Sequence, residues 1–384
     1  MKRVTIMNLT NNVIRFTDRP EGRPTAETFA FDSETIRPLL NNEFLVKNLY
    51  LSMDPALVGR MRKEDNYAES VEPGEVMHAY AIGQVIQSNN KKVKVGEVRF
   101  GRFDMQEYAI SNDTENTKAI NLGLADPSWY LSLVGITGAT AYFSLFDIGQ
   151  PKRGETIVIS AGGSSVGSTV AQMAKKVGCR TVAIVSTEEK AKQVIADWGY
   201  DAAVCYRGKS TEELEKQLAL ACPRGVDIYY DNTSGDISEA LLDLYNENAR
   251  IVVVGRLGIS HLPDTRLDTG RRDNNVILSK RIKKQGFVLL DYQSKIMGAV
   301  IQIAKWIKQG DLKIKEDILH GIDKTPEAFF RMLDGKNDGK QLVKLADVNH
   351  QLDPSPRWLG AHLISKRFPT SILALMISRT RTSI

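Results

Sequence analysis

The segment ETIVISAGGSSVGSTVAQMAKKVG constrains this chain more than any other. Residues 155–160 read as a short buried strand, residues 161–167 are almost all small, and Val170, Ala171, Ala174 and Val177 then fall on one helical face. A strand that enters a helix through a glycine-rich turn lets the backbone approach a pyrophosphate, whose charge is stabilised by free N–H groups and the helix dipole. A bare glycine cluster is weak evidence. This one opens an alternating strand and helix pattern, which is the context that gives it meaning.

The alternation continues for about a hundred residues. Strand-like TVAIV (181–185) precedes a helical stretch ending at Gly199. AAVCY (202–206), helical TEELEKQLALA, DIYYD (227–231), helical SEALLDLY and RIVVVG (250–255) follow in turn. Such a sequence predicts a parallel, doubly wound sheet. Upstream of Asn121, short and partly alternating runs divided by Gly, Asn and Pro read as barrel or sandwich strands. From Lys305 onward, strands and a helix return to that first unit. With 384 residues, two domains are expected.

Charge and cysteine content exclude several functions. The net charge of +5 lies mostly in the tail, where Arg357, Lys366, Arg367, Arg379 and Arg381 face only Asp353. The near-neutral body lacks the electrostatic footprint of a nucleic-acid binder. Cys179, Cys205 and Cys222 are odd in number and widely spaced, which fits buried thiols in a reducing compartment. No apolar run has the length of a signal peptide or a membrane span, so a cytoplasmic location is expected. The first domain has no cysteine and one histidine, His78, too few ligands for a catalytic or structural zinc. GGSSVG also lacks the spacing of a serine-hydrolase elbow.

The choice of nicotinamide cofactor turns on the end of the second strand. NAD enzymes usually place Asp or Glu there, about 20 residues beyond the glycines, to bind the ribose hydroxyls. Here Ser186 stands 19 residues after Gly167, and Lys190 follows within reach of a 2′-phosphate. NADPH is therefore expected, although Glu188 and Glu189 argue the other way and a solvated helix lysine is the plain alternative for Lys190.

Taken together, NLYLSMDP, GITGATAYFSLFDIGQPKRGETIVISAGGSSVGSTVAQMAKKVGC, ACPRGVDIYYDN and GKNDGKQLVKLAD resemble the zinc-free medium-chain dehydrogenase/reductase family. The likeness is to its prostaglandin reductase, alkenal double-bond reductase and curcumin reductase group, and it runs from about residue 4 to 347. It implies a GroES-like β-rich catalytic domain over residues 1–125, completed by 315–348, and a Rossmann cofactor-binding domain over 126–314. Residues 349–384 form a basic extension, expected to be dispensable for cofactor binding. The resemblance implies a homodimer that reduces the carbon–carbon double bond of an enone with NADPH. It places Gly163, Val166 and Gly167 along the pyrophosphate, and Lys190 and Tyr206 on the 2′-phosphate. It also sets Thr140, Tyr142, Asn232 and Gly255 near the nicotinamide, with Asn337 closing over the cofactor.

The departures from the family concern the substrate. Where it has DPYMRGRM this chain has DPALVGRM, so Ala56 replaces a tyrosine associated with the substrate carbonyl. Thr137 stands in place of a proline, and His78 and Tyr80 in places usually small or apolar. Tyr67 and Tyr80 are the candidate catalytic hydroxyls, each weighed against an ordinary surface or packing tyrosine. A non-catalytic or redox-sensing NADPH-binding relative is the alternative function, and the loss at Ala56 is the feature that favours it.

Overall fold

The computed structural model describes residues 9–63, 69–262 and 264–352. Tyr67 and the tail from Asp353 lie outside these.

The first unit is built from short antiparallel strands. β1 (Thr10–Phe16) and β2 (Phe29–Thr35) form a two-stranded ribbon. β3 (Phe44–Ser52), β4 (Tyr80–Ser88), β5 (Val98–Arg102), β6 (Tyr108–Ser111) and β7 (Lys118–Ala119) form most of a larger sheet. Alternation assigns β4 to two cores at once. Ala81 and Val85 face a buried cluster with Phe16, Val46, Leu51 and Phe103, while Ile82 faces a second one with Leu49, Leu131, Val134 and Val300. That second cluster joins the two halves of the molecule.

The second unit holds six strands: β8 (Thr156–Ser160), β9 (Arg180–Val185), β10 (Ala202–Cys205), β11 (Val226–Asp231), β12 (Tyr245–Val253) and β13 (Lys283–Gly286). They are parallel throughout, in the order β10-β9-β8-β11-β12-β13. This is the doubly wound arrangement, with its topological switch between β8 and β11. The helix Ser165–Val177 buries Val170, Ala171 and Ala174 against the sheet, and Val177 packs at the edge of the same core. All three cysteines are buried and unpaired.

One expected helix is largely replaced. SEALLDLY forms only a short turn of helix, Asp236–Glu239, and a 3-10 turn, Leu242–Leu244. Ile237, Ala240, Leu241, Leu242 and Tyr245 are all buried there. Ile237, Ala240, Leu241 and Tyr245 would share one helical face, but Leu242 is buried as well and lies off it, and two short turns bury all five.

After the helix Ile296–Lys308 the chain returns to the first sheet. β14 (Glu316–His320) pairs with β15 (Lys340–Lys344), and β15 pairs antiparallel with β3. Asn349 is then held at β4, its amide donating to Gln84 Oε1 at 2.8 Å and its carbonyl accepting from Gln84 Nε2 at 3.0 Å. A chain ended after Leu352 is therefore expected to melt at the same temperature as the full protein. Thermal denaturation of the two forms checks this, and a lower midpoint would assign the tail a structural role. No helix among the described residues is long and apolar enough to cross a membrane.

Candidate active site

β8 and β11 lie side by side at the switch point, and the crevice beyond the carboxyl ends of such strands is the usual ligand position. Asn232, just beyond β11, spans it: its amide donates to Ser160 Oγ at 2.8 Å and its side chain to the Ser160 carbonyl at 2.7 Å. The preceding Asp231 is buried and accepts from Tyr229 Oη, Ser238 Oγ and the amides of Thr233 and Ser234, at 2.7–3.0 Å. This network holds the turn that presents Asn232. Gly255 lies against it, because a Cβ there would come within 2.7 Å of the Asn232 carbonyl oxygen.

The glycine turn divides its labour. A Cβ on Gly162 would meet Ala183 Cβ at 2.7 Å, and one on Gly167 would meet the Ala161 carbonyl at 2.5 Å, so both glycines permit close packing of strand, turn and helix. Gly163 differs. Its Cβ would touch only Val194 at 3.4 Å, which leaves the outer side of the turn open to a ligand. Ser164 caps the helix by accepting from the Gly167 amide at 3.1 Å. The amides of the first turn, Val166 among them, precede the intrahelical ladder and can serve an anion. The buried Tyr200 supports the turn from below, its hydroxyl 2.9 Å from the Gly162 carbonyl and 3.0 Å from that of Gly167. No spacing signal in the sequence pointed to Tyr200.

A second group of residues meets at the ends of β9 and β10. Cys205 pairs with Val185, so Ser186 and Tyr206 emerge side by side, and the Tyr206 amide donates to the Val185 carbonyl at 3.0 Å. Lys190 occupies the first turn of the helix Glu188–Trp198 and is half-buried. Its ammonium donates to the Asn337 carbonyl at 3.0 Å. Burial lowers the Lys190 pKa, opposed by Asp338 and Asp317. Lys190 is thus not a free surface lysine, and the GKN loop it touches comes from the far end of the chain. Ser186, Lys190, Tyr206 and Asn337 are brought together. The pyrophosphate turn suits a dinucleotide, and a serine and a lysine in place of a carboxylate suit one with a 2′-phosphate.

The remaining expected residues are more scattered. Thr140 lies half-buried on the helix Ile136–Phe143, and its carbonyl accepts from Ser144 Oγ at 2.6 Å, a hydroxyl that also lies 2.6 Å from Tyr230 Oη. Tyr142 sits among Phe143, Phe146 and Trp306, with centroids 5.1–6.0 Å away, so its ring is committed to an aromatic cluster. Tyr80 stacks on Phe100 at 5.4 Å and 14°. Ala56 is exposed at the start of the helical turn Ala56–Arg60. Arg62, two residues beyond that turn, donates across to the Ser260 carbonyl in the loop that follows Gly255.

Near Tyr80 in the chain, His78 is buried, and the half-buried Asp104 accepts from the Ala79 amide at 3.4 Å. Burial, reinforced by Arg102 and Arg60, brings the His78 pKa down to about 4, so its ring is neutral at pH 7. Its Nδ1 has no hydrogen-bond partner among the described residues. Burial pushes Asp104 up to about 6, against the pull of Arg102 at 3.8 Å. Among the described residues, no three His, Cys, Asp or Glu side chains converge as a metal site would need.

Comparison with known proteins agrees with this fold. Residues 12–119 match the family model of an N-terminal domain of oxidoreductase, and residues 165–306 match that of a zinc-binding dehydrogenase. The chain is 35% identical over 333 residues to the NADPH-dependent curcumin reductase of Escherichia coli, covering 85% of this chain and 95% of the relative. It is 32% identical over 329 residues to the NADP(+)-dependent 2-alkenal reductase of Nicotiana tabacum, with 85% and 94% covered. The crystal structure of CurA from Vibrio vulnificus in complex with NADPH superimposes with a TM-score of 0.81 at 35% identity, covering 88% of this chain and 99% of that one. With both sheets, the dinucleotide turn and relatives at this level of identity over most of its length, the chain belongs to the zinc-free medium-chain dehydrogenase/reductase family, in the group of curcumin, alkenal and prostaglandin reductases.

Proposed function

We propose that this protein reduces the carbon–carbon double bond of α,β-unsaturated carbonyl compounds with NADPH. The observation that carries the cofactor choice is the meeting of Ser186, Lys190 and Tyr206 without a carboxylate at the end of β9, with Lys190 reaching Asn337. The relatives named above support the reaction class. When bound, NADPH supplies a hydride, and in a conjugated carbonyl the electrophilic acceptor is the β-carbon. The protein's part is to orient and to stabilise charge. Asn232, held by Ser160, and Gly255 shape one wall of the crevice, and Thr140 stands on the neighbouring helix. Charge then develops on the carbonyl oxygen, where a well-placed donor contributes about 3–4 kcal/mol to the transition state. With alanine at position 56, that donor is assigned to Tyr67 or Tyr80, or to a cofactor hydroxyl. The α-carbon takes its proton from water or one of these phenols.

The decisive measurement is the fate of the label. An enone incubated with the full-length protein and deuterated NADPH should yield a saturated ketone labelled at the β-carbon, whereas an allylic alcohol labelled at the carbinol carbon would refute the assignment. Absence of any turnover with retained NADPH binding would favour the non-catalytic reading that Ala56 suggests.

Replacing Lys190 by alanine should cut NADPH affinity about five- to thirtyfold, the worth of one charge-assisted contact of roughly 1–2 kcal/mol, and leave NADH affinity nearly unchanged. Equal losses for both cofactors, measured by calorimetric titration, would instead assign Lys190 to folding.

A further inference from the structure

We propose that Asp338 is a positioning residue for cofactor choice: clasped by Gln193 and Lys315, it sets the Asn337 carbonyl against the Lys190 ammonium and so holds the lysine ready for a 2′-phosphate. The inference rests on the reading of Lys190 as the phosphate partner. It adds a residue from outside the nucleotide domain that decides where that lysine stands.

The helix Glu188–Trp198 presents Lys190, Gln193 and Asp197 at spacings of three and four, hence along one face. All three engage the chain segments around β14 and β15. Gln193 Nε2 donates to Asp338 Oδ1 at 2.6 Å. Lys315 Nζ bridges Asp197 Oδ2 at 2.6 Å and Asp338 Oδ1 at 2.8 Å. The Asp338 amide donates to Asp317 Oδ2 at 3.1 Å, an oxygen that also receives Arg331 at 2.8 Å. Asn337 turns its side chain back to the Gly339 carbonyl at 2.7 Å, and the Lys340 amide donates to the Lys315 carbonyl at 2.9 Å. Gly339 is required in this turn: its φ is +101° and a Cβ would lie 2.3 Å from the Lys315 carbonyl oxygen.

The outcome of these ties is a carbonyl delivered to Lys190 from a segment more than a hundred residues distant. Each exposed pair is weak alone. Together they share one short loop, so the loop is over-determined. A lysine side chain loses substantial rotamer entropy when it is ordered, and a lysine already ordered pays less on meeting its ligand. Arg331 pairs with Asp317, and Lys315, shared with Asp197, pairs with Asp338, which offsets part of their repulsion of the phosphate.

The test is calorimetric titration of the full-length protein and its variants with NADPH, NADH and adenosine 2′-monophosphate. Asp338→Ala should weaken NADPH and the 2′-phosphate fragment about three- to tenfold, the span of one modest contact, and leave NADH unchanged. Gln193→Ala, which alters no charge, should shift them the same way by less. In a Lys190→Ala background, Asp338→Ala should change neither cofactor. Equal weakening of NADPH and NADH would reduce Asp338 to a structural role and overturn the proposal, as would tighter NADPH binding, which would mean that Asp338 repels the phosphate. If Lys190→Ala erodes the preference and Asp338→Ala does not, the positioning inference alone fails. If Lys190→Ala leaves the preference intact, the phosphate reading fails as well.

Discussion

Replacing Asp54 by alanine should lower the stability of the protein by about 3 kcal/mol, the cost of leaving one charge of a buried pair without its partner. Lys340 is the reason. Its side chain is only 5% exposed, and its ammonium meets Asp54 Oδ1 and the Met53 carbonyl, the latter at 3.0 Å. Without Asp54 the ammonium keeps one neutral acceptor in a site with little access to water. The converse change, Lys340→Met, should cost less, about 1 kcal/mol. Asp54 is 27% exposed and retains the Ser52 hydroxyl at 2.6 Å, so it can be rehydrated. Urea unfolding of both variants measures the asymmetry, and equal costs would show that desolvation of Lys340 is not the cause. The pair has a second consequence. Asp54 lies two residues before Ala56 and Lys340 three after Asn337, so this contact ties the loop before Ala56 to the loop beside Lys190.

Gly138→Ala should be more damaging than its chemistry suggests. Alanine is favoured over glycine in a helix by about 1 kcal/mol, and Gly138 lies within Ile136–Phe143. A Cβ there would stand 1.8 Å from the Leu133 carbonyl oxygen and 3.0 Å from Ile303. The obstacle is backbone, which cannot rotate away. Overpacking costs about 1–3 kcal/mol even when side chains can yield, so a net loss of about 2 kcal/mol or more is expected. The displaced helix carries Thr140, and cofactor affinity should fall with stability. Gly163→Ala is the informative control: its Cβ meets only Val194 at 3.4 Å, so folding should be unaffected, while a methyl on the open side of the turn should lower NADPH affinity about tenfold or more. Thermal melts with calorimetric titration separate the two effects. A Gly138→Ala protein as stable as the parent would show that the segment 130–134 gives way.

The cofactor domain was legible because its signals are local and repeated. Strand and helix periods alternate from residue 155 to 255, and a glycine turn in that setting has few other meanings. Its order β10-β9-β8-β11-β12-β13 is one of the few that parallel strands joined by helices adopt. The grouping of Ser186, Lys190 and Tyr206 was also within reach, because consecutive strand ends of such a sheet lie side by side.

What the sequence could not settle was decided between segments far apart in the chain. Nothing in the text around Tyr142 shows that its ring lies against Trp306, or that Tyr80 is stacked on Phe100. The segment Ser238–Tyr245 reads locally as a helix, yet it folds as two short turns that bury Leu242 along with the face carrying Leu241 and Tyr245. The Tyr200 hydroxyl beneath the glycine turn, the clasp on Asp338 and the Asp54 pair with Lys340 are likewise tertiary facts. The physical reason is common to all of them. Periodicity records which face of an element is apolar, and local turns record backbone conformation. The partner of a buried hydroxyl or charge is fixed only by the packing that removes water from around it, and that packing exists only once the domains have formed.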